Sequence, residues 1–374
     1  MQENGSGVDL DKARSAIDEA DRGIAMLFAR RMEAVAQVAA YKAKRGLPVL
    51  DAERERQMLA RESQYVDEEI RPYFTRLLET TLAVSRQYQH RLMEGMRVAY
   101  CGTEGAFSWV ATRRTFPDAE AVGCGSFQRV FEVVEDGICD CGVVPIENST
   151  AGEVSQVMDL LFNGSLFVYQ VFDVPVSQNL LGVPGASIGD IRKVVSHPQA
   201  LSQCAAYIDE REWEAEESAN TSFAALAVLE GGDRSVAAIG SAEVAALYGL
   251  VVLDHDINAD MQNATRFAVI ARSGGVRAAD RFMLTFTVRN EAGSLAKAIN
   301  VIGDHGFNMR SLRSRPMRSL AWCYYFFVEA EGDIASENGV AMLAELEEQC
   351  DRLRVLGSYV DSNEARGASW RPGE

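Results

Sequence analysis

Hydrophobic residues recur at helical spacing over the first quarter of the chain. The longest such pattern covers residues 10–45, contains no proline and ends before Gly46 and Pro48. Its apolar positions are Ile17, Ile24, Leu27, Phe28, Val35 and Val38. A helix of about 35 residues is a rod of about 50 Å, which is longer than a small domain can cover. We therefore expect a helix of another chain to pack against it.

Two shorter helical patterns follow before any strand. One covers residues 51–66, and the next begins near Pro72, a residue that suits a first helical turn, and continues to about residue 93. The pattern thus predicts three helices and no strand in this region, with a domain over residues 8–94.

Beyond a short junction at Gly95, short strands begin to alternate with helices. The predicted strands cover residues 98–101, 121–124, the stretch from 141, 168–174, 180–183, 193–196, 235–239, 250–253 and 266–271. The predicted helices cover residues 107–116, 127–136, 153–162, 198–209, one segment capped near Thr221 and one after Ser241. Repeated βα units predict one or two largely parallel sheets, here as two lobes facing a cleft within residues 96–272.

The last part of the chain has a different order of elements. Residues 272–280, with Gly274 and Gly275, are typical of a linker. A βαββαβ order follows, with strands at 281–289, 307–315, 320–329 and 353–360 and helices at 294–304 and 337–350. That order is ferredoxin-like and predicts a separate module over residues 280–361. Residues 362–374, rich in Gly, Ser, Pro and charge, are expected to be a disordered tail.

Charge and composition restrict the possible partners. The chain has 37 basic and 54 acidic side chains, a net charge of −17, which argues against nucleic acid or an anionic membrane. An anionic small molecule would need a local basic pocket. No apolar run approaches the roughly 18 residues of a membrane span, and the first residues do not resemble a secretory signal, so we expect a cytoplasmic protein. The seven scattered cysteines are expected to be buried, reduced thiols.

One strand ends in an unusual cluster of polar residues. Residues 141–150, CGVVPIENST, combine an apolar run with a carboxylate, an amide and two hydroxyls. Ligands bind beyond the carboxyl ends of strands in open α/β sheets, so Glu147, Asn148 and Ser149 could form a site. The alternative is a helix cap, because Thr150 and Glu153 have the spacing of a capping box.

Polar residues also share faces of the predicted helices. Arg31 and Lys42 are eleven positions apart and lie only about 20° out of line, whereas Arg14 lies about 100° away from Arg31. The second helix brings Asp51, Arg54 and Glu55 together, and Ser85 and Gln89 interrupt the apolar stripe of the third. Each could be a surface ion pair, but together they indicate a polar lining inside a helical bundle.

These features together resemble a known family. The most specific segments are VPIENS at 144–149, SHPQ at 196–199 with Gln203 and Cys204, and NATRF at 263–267. In this order they resemble the bifunctional chorismate mutase/prephenate dehydratase with a C-terminal ACT regulatory domain, over residues 10–360. The resemblance implies an all-α three-helix mutase domain in an intertwined dimer, a two-lobed α/β dehydratase domain like that of periplasmic binding proteins, and an α+β ferredoxin-like ACT domain.

The implied function is two steps of phenylalanine biosynthesis. Chorismate is rearranged to prephenate, and prephenate loses carbon dioxide and hydroxide to give phenylpyruvate. The resemblance implies no cofactor and no metal, phenylalanine as a feedback inhibitor, and a homodimer that could pair into a tetramer. Two alternatives are that only one half is active, with the helices as a dimerisation arm, and that the chain is a non-catalytic amino-acid sensor.

For the mutase the resemblance assigns the helical polar residues to one dianionic substrate. Arg14 of a second chain, Arg31 and Arg54 are expected on the carboxylates, because a guanidinium pairs with both oxygens. Lys42 and Gln89 are expected at the ether oxygen. Asp51 and Glu55 would bind the ring hydroxyl or hold the cations, and Ser85 completes the set.

For the dehydratase the resemblance assigns Thr265 as the donor that helps hydroxide leave. Glu147 or a bound water is expected to polarise that hydroxyl. The expected substrate contacts are Asn148, Ser149, Ser196, Gln203, Thr221 and Ser222. Arg266 is either a carboxylate partner or structural, and His197 is expected to be a structural hydrogen-bonding residue. The chain departs from the family pattern at Thr103 and Gln178.

For the regulatory domain the resemblance places phenylalanine between paired modules. The expected effector residues are Gly293, Ser294, Leu295, Asn308, Arg313, Ser314, Arg315 and Pro316. The usual motif there is Glu-Ser-Arg-Pro, and Arg313 replaces its acidic residue.

Overall fold

The computed structural model describes residues 10–259, 263–274, 279–317 and 323–360. The chain divides into two compact units, the first ending at Met96 and the second beginning at Arg97. The predicted tail, 362–374, lies outside the described residues, as do residues 275–278 of the predicted linker and residues 320–322 of a predicted strand. None of the helices in the described part of the chain is long and apolar enough to cross a membrane.

The first unit consists of the three predicted helices. They are α1 (Leu10–Ala43), α2 (Ala52–Glu62, followed by a 3₁₀ turn at Ser63–Tyr65) and α3 (Arg71–Glu94). The Asp51 carboxylate caps α2 by accepting a bond of 3.1 Å from the Arg54 N–H, and Pro72 lies in the first turn of α3. At 34 residues, α1 is a rod of about 50 Å.

The second unit begins with alternating strands and helices. In chain order these are β1 (Arg97–Cys101), α4 (Phe107–Thr115), β2 (Glu120–Cys124), α5 (Phe127–Glu135), β3 (Cys141–Asn148), β4 (Gly152–Glu153), α6 (Ser155–Asn163), β5 (Phe167–Pro175), β6 (Asn179–Gly182), β7 (Lys193–Ser196), α7 (Pro198–Gln203), α8 (Ala205–Asp209), β8 (Glu214–Glu217), α9 (Thr221–Gly231), β9 (Val236–Gly240), α10 (Ala242–Tyr248), β10 (Val251–Asp254) and β11 (Ala264–Ala271). A short 3₁₀ turn at Ile188–Asp190 precedes β7.

These strands form two sheets, one in each lobe. The first has the order β2-β1-β3-β11-β5, with β4 paired to β3, and the second has the order β10-β6-β9-β7-β8. The predicted largely parallel arrangement is wrong, because β11 runs antiparallel to both β3 and β5, and β6 runs antiparallel to β9 and β10. The reversal follows from the topology: the chain leaves the first lobe along β5 and returns to it along β11.

Three local predictions also need correction. Thr150 and Glu153 do not form a capping box: Glu153 pairs with Glu147 in the β3–β4 hairpin, and α6 begins only at Ser155. The helix predicted over 198–209 is two short helices that meet at Cys204. Strand β8, which reads EAEE and is fully exposed, was not predicted because an edge strand needs no apolar residues.

The C-terminal part follows the predicted βαββαβ order. Its elements are β12 (Arg281–Thr287), α11 (Ser294–Asp304), β13 (Met309–Pro316), β14 (Tyr324–Glu331), α12 (Glu337–Gln349) and β15 (Arg352–Tyr359). The strands form an antiparallel sheet in the order β13-β14-β12-β15. We call this part the C-terminal module.

The C-terminal module packs on the first lobe, which differs from the separate module expected. One face of its sheet packs on α11 and α12 through Phe282, Leu284 and Phe286. The other face is apolar too, and residues such as Tyr325 and Phe327 join a core cluster of the first lobe. The rings of Tyr325 and Phe162 of α6 stack with centroids 4.0 Å apart. Module and lobe therefore share one core.

Four of the cysteines, Cys124, Cys139, Cys141 and Cys204, are buried as predicted, whereas the prediction of burial is wrong for Cys101, Cys323 and Cys350, which are partly exposed. Burial raises the pKa of the Cys139 thiol to about 11. These thiols act as small core residues.

Candidate active sites

The first unit contains a pocket of about 340 Å³ between its three helices. Its polar lining residues are Arg31, Lys42, Asp51, Arg54, Glu55, Ser85, Arg86 and Gln89. Apolar side chains such as Val35, Val38 and Leu82 line the remainder. The structure therefore brings together seven of the eight residues proposed for the mutase and adds one that was not predicted.

Helical geometry explains how these side chains converge. Arg31 and Lys42 lie on one line of α1, and Ser85 and Gln89 are one turn apart on α3. The Arg31 guanidinium donates to Ser85 Oγ, which itself donates to Thr81 O at 2.6 Å. Burial lowers the pKa of Arg31 from its ordinary value. A partly desolvated cation is well placed to bind an anion.

Two donors in the pocket have weak or replaceable partners. Lys42 Nζ donates to the carbonyl of Val49 at 2.5 Å. Gln89 is buried, and its Nε2 donates to Ser85 O at a long 3.4 Å. In the part of the chain that the structure describes, Gln89 Oε1 has no hydrogen-bond partner. The free Oε1 can accept a bond from a ligand, and Nε2, whose bond to Ser85 is long, can donate to one.

The unpredicted member is Arg86, which forms an ion pair with Glu55 across the pocket wall. Its signal was present in the sequence, because positions 82, 85, 86 and 89 share one helical face. The pair connects α3 to α2, so Arg86 holds Glu55 in place.

Arg14 does not line the pocket of its own chain. Its side chain is 67% exposed and faces Asp11 at 4.0 Å. Seventeen residues separate it from Arg31, which corresponds to about 25 Å along α1. Apolar residues on the same helix are also exposed, with Ile17 at 59% and Leu27 at 67%.

In the second unit Asn148 and Thr265 meet where β3 ends and β11 begins. They are direct partners in the antiparallel register, and Asn148 Nδ2 donates to Thr265 Oγ1 at 3.0 Å. The same amide donates to Asn263 Oδ1 at 2.8 Å, and its oxygen accepts from the backbone N–H groups of Thr150 and Ala151. Both ends of the Asn148 amide are therefore fixed.

The proposed role of Glu147 in polarising Thr265 is contradicted by this register. Asn148 and Thr265 point to the same face, and side chains alternate along a strand, so Glu147 points to the other face. There Glu147 Oε2 accepts from Arg313 at 2.5 Å. The neighbour that reaches the Thr265 hydroxyl is Asn148.

Arg266 shares the face of Glu147 and is engaged by carboxylates of the protein. Its Nε lies 3.2 Å from Asp173, and its Nη1 lies 3.1 Å from Glu329. Burial alone would lower the pKa of Arg266, but the charges of Glu329 and Asp173 outweigh burial and raise it. Of the two readings of Arg266, the geometry supports the structural one.

Ser149 is joined to β11 by two bonds. Its N–H donates to the carbonyl of Ala264 at 2.9 Å, and its Oγ accepts from the Ala264 N–H at 3.0 Å. Ser149 thereby fixes the segment that contains Asn148 beside Thr265.

The second lobe supplies the remaining candidates. Gln203 Oε1 accepts from Gln178 Nε2 at 3.0 Å, while Gln178 Oε1 is buried without a partner in the described residues. Ser196 is fully buried, and its hydroxyl donates to Ile239 O at 2.7 Å, which makes it structural. Gln178, one of the two departures from the family pattern, therefore offers a free acceptor.

Helix α9 begins with Thr221 and Ser222, and the first lobe approaches it closely. Ser222 Oγ is buried and has no partner within the described residues. A Cβ at Gly105, whose φ is +85°, would lie 2.6 Å from that oxygen. Only glycine fits there, so the turn after β1 and the start of α9 bring the two lobes together.

His197 caps α7 by accepting a 3.2 Å bond from the Gln199 N–H through Nδ1, in agreement with its structural interpretation.

Among the proposed effector residues, Gly293 has a φ of +86° and precedes α11, which Ser294 and Leu295 begin. Asn308 donates to Glu331 at 2.9 Å. Ser314 and Pro316 are exposed on β13.

The two arginines of β13, expected as effector contacts, are instead engaged by carboxylates of the first lobe. Arg313 contacts Glu147, and Arg315 bonds to Glu153 at 2.6 Å and to Asp159 at 3.1 Å. Like Arg266 they lie in the shared interface, where opposite charges determine their positions.

Comparison with known proteins decides the family. A prephenate dehydratase family model matches residues 98–274, and a chorismate mutase type II model matches residues 13–90. The bifunctional chorismate mutase/prephenate dehydratase of Escherichia coli (strain K12) is 31% identical over 373 residues, which cover 94% of this chain and 96% of that protein. The chain belongs to the bifunctional chorismate mutase/prephenate dehydratase family.

Relatives named as dehydratases match about seven-tenths of the chain. An Arabidopsis thaliana arogenate dehydratase/prephenate dehydratase is 33% identical, covering 71% of this chain and 72% of that protein. A solved prephenate dehydratase from Arthrobacter aurescens, in complex with L-Phe, has a TM-score of 0.66 and 27% identity, covering 74% of this chain and 93% of the other. As a member of the bifunctional family, the chain combines a chorismate mutase domain with a prephenate dehydratase domain.

Proposed function

We propose that the helical pocket rearranges chorismate to prephenate and that the site at Asn148 and Thr265 converts prephenate to phenylpyruvate, in the biosynthesis of phenylalanine. The observation that carries the first step is the convergence of Arg31, Lys42 and Gln89 in one pocket. In this proposal the three domains cover residues 8–94, 96–272 and 280–361, and the protein acts in the cytoplasm.

In the mutase step the pocket holds the substrate in its reactive conformation and stabilises the charge that develops on it. Arg31 and Arg54 bind carboxylates, which selects the compact conformer in which the bond-forming carbons are close. As the carbon–oxygen ether bond breaks, the oxygen gains negative charge, and Lys42 and Gln89 donate to it. Asp51 caps α2, and Glu55 is held by Arg86, so these carboxylates fix the pocket or bind the ring hydroxyl.

The site becomes complete in a dimer. Arg14 is about 25 Å from its own pocket along α1, and the apolar residues beside it are exposed. A second copy packed along α1 would cover that face and supply the third cation. An isologous dimer would do this for both pockets at once.

In the dehydratase step the ring loses carbon dioxide as the carbon–oxygen bond to the ring hydroxyl breaks. The electron pair of the departing carboxylate enters the ring, which becomes aromatic, and the departing hydroxide takes the Thr265 proton and leaves as water. Solvent then returns a proton to Thr265 Oγ1. Thr265 is the donor: because its oxygen accepts from Asn148, its own hydrogen remains available to the leaving group. The Asn148 bond also stabilises negative charge on Thr265 Oγ1.

The second lobe offers the groups that would hold the substrate. Gln178 Oε1 and Ser222 Oγ are buried polar atoms with unused bonding capacity. Gln203 is hydrogen-bonded to Gln178, and Thr221 precedes Ser222 in the chain. Ser149 and Ser196 support the site through backbone bonds instead.

We further propose that phenylalanine binds the C-terminal module as an ACT domain and inhibits the dehydratase. The solved relative from Arthrobacter aurescens contains L-Phe. Gly293, Ser294, Leu295 and Asn308 remain the candidate contacts, since Arg313 and Arg315 are engaged elsewhere.

One experiment tests the whole proposal. Purified protein is given chorismate, and separately prephenate, with and without phenylalanine, while prephenate and phenylpyruvate are followed. We expect both conversions, with the second slowed by phenylalanine. Loss of one conversion would leave a monofunctional enzyme, and loss of both would favour a sensor. No effect of phenylalanine on the rate or on thermal stability would refute feedback.

A further inference from the structure

The hairpin that presents Asn148 has two carboxylates facing each other. β3 and β4 pair antiparallel, with Glu147 opposite Glu153 and Asn148 opposite Gly152. Directly opposed side chains lie on the same face of a hairpin, and like charges in that position repel. The two glutamates thus push the arms of the hairpin apart unless a cation lies between them.

Arg313 of the C-terminal module supplies that cation. Its Nη2 is 2.5 Å from Glu147 and its Nη1 is 3.8 Å from Glu153, so one guanidinium bridges both carboxylates. The side chains of Arg313 and Glu153 are only 26% and 17% exposed, which limits screening by solvent. Arg315 reinforces the bridge, with its Nη1 2.6 Å from Glu153 and 2.7 Å from Ser155 Oγ.

The bridge lies directly behind the dehydratase site. Glu147 precedes Asn148 on β3, and Asn148 bonds to Thr265 on the opposite face of the same strand pair. The module also holds β11 from behind, because Glu329 pairs with Arg266 at 3.1 Å and accepts 2.7 Å from the Tyr359 hydroxyl. Movement of the hairpin would therefore change the contact between Asn148 and Thr265.

We propose that Arg313 is a positioning residue of the dehydratase site: it neutralises Glu147 and Glu153 and keeps closed the hairpin on which Asn148 meets Thr265. It acts through Glu147 and does not reach the reacting atoms. The inference rests on the proposed roles of Thr265 and Asn148.

The test measures both activities of full-length variants. Arg313→Gln should lower dehydratase kcat by about 10- to 100-fold with a smaller change in KM, because small displacements of a donor are costly. Arg310→Gln is the matched control, since Arg310 lies on the same strand, is 52% exposed and pairs with Glu331 inside the module. Mutase turnover in the same chains reports on folding and should stay within about twofold.

A second substitution separates positioning from general damage. Adding Glu153→Gln to Arg313→Gln removes one of the opposed charges. The double variant should have a dehydratase kcat at least about threefold higher than that of Arg313→Gln. Arg313→Lys, which keeps the charge, should lose less than Arg313→Gln. The inference is overturned if Arg313→Gln is no slower than Arg310→Gln, or if Glu153→Gln restores nothing.

Two further outcomes remain decisive. If Arg313→Gln fails to fold, Arg313→Lys is compared with Arg310→Lys: a lower dehydratase kcat in Arg313→Lys would support the inference, and an equal kcat would overturn it. Normal turnover in Thr265→Ala would instead refute the proposed site, whereas a slow Thr265→Ala beside a normal Arg313→Gln refutes only the role of Arg313.

Discussion

The helical pocket of the first unit and the strand-end site of the second bring their residues together in different ways. In the pocket, side chains converge because positions three, four, seven or eleven apart share a helix face, as Arg31 and Lys42 do. At the strand ends, two neighbours in sequence point to opposite faces, so Asn148 meets Thr265 while Glu147 meets Arg313. One position along a helix turns the side chain by about 100°, whereas one position along a strand moves the side chain to the opposite face of the sheet. In a strand site, therefore, neighbouring residues belong to different surroundings.

The largest effect should come from removing the pocket cation that we propose donates to the ether oxygen. Lys42→Ala should lower mutase kcat by about two to four orders of magnitude, because a charged donor to the developing oxyanion is lost. Lys44→Ala, an exposed lysine just beyond α1, is the control. Dehydratase turnover should be unchanged in both proteins. Near-normal mutase turnover in Lys42→Ala would remove Lys42 from the mechanism.

Mixing inactive variants tests whether the pocket needs two chains. Arg14→Ala and Lys42→Ala should each be slow, but an exchanged equal mixture should recover about a quarter of normal mutase activity, since about a quarter of sites then have both residues. Lys42→Ala mixed with Arg54→Ala should recover none, because both residues come from the same chain. Equal recovery in the two mixtures would contradict the shared site.

The residue that sequence reasoning missed should have an intermediate effect. Arg86→Ala leaves Glu55 without its cation beside the pocket, and we expect mutase kcat/KM to fall about tenfold. Arg76→Ala, an exposed arginine on the same helix, serves as the comparison. If both variants lose the same activity, Arg86 has no particular role in the pocket.

The smallest effect concerns stability in the C-terminal module. His305 bonds to Asn338 and to Glu345, each at 3.0 Å, and these bonds raise its pKa above the ordinary 6.5. Because the folded pKa is raised, the stabilisation is fully present below about pH 6.5 and is lost as pH rises through the folded value. His305→Gln should therefore lower the thermal midpoint at pH 5.5 more than at pH 8. A difference that is constant with pH would show that the charge plays no part.

The hydrophobic pattern of the sequence predicted those helices and strands that bury one face or all of their surface. The three helices of the first unit and the βαββαβ order of the C-terminal module are confirmed. Amphipathic stripes and short apolar runs are local signals, so a single sequence is enough to detect them. The exposed strand β8 has no such signal, because its pairing with β7 depends on backbone groups.

Long-range properties could not be predicted from the sequence. The antiparallel return of β11 between β3 and β5 decides which face Glu147 occupies, and no local pattern reports that pairing. The ion pair of Arg313 with Glu147 joins residues 166 positions apart. The sequence shows an arginine at position 313, but only the fold shows that its partner is Glu147.

The most direct test of two separate sites in one chain is to give chorismate to the Thr265→Ala protein and follow both products. If the helical pocket and the Asn148–Thr265 site act independently, prephenate should accumulate as fast as the unmodified protein consumes chorismate. Phenylpyruvate should form at least about a hundredfold more slowly than with the unmodified protein. Phenylpyruvate appearing at the unmodified rate would contradict the account.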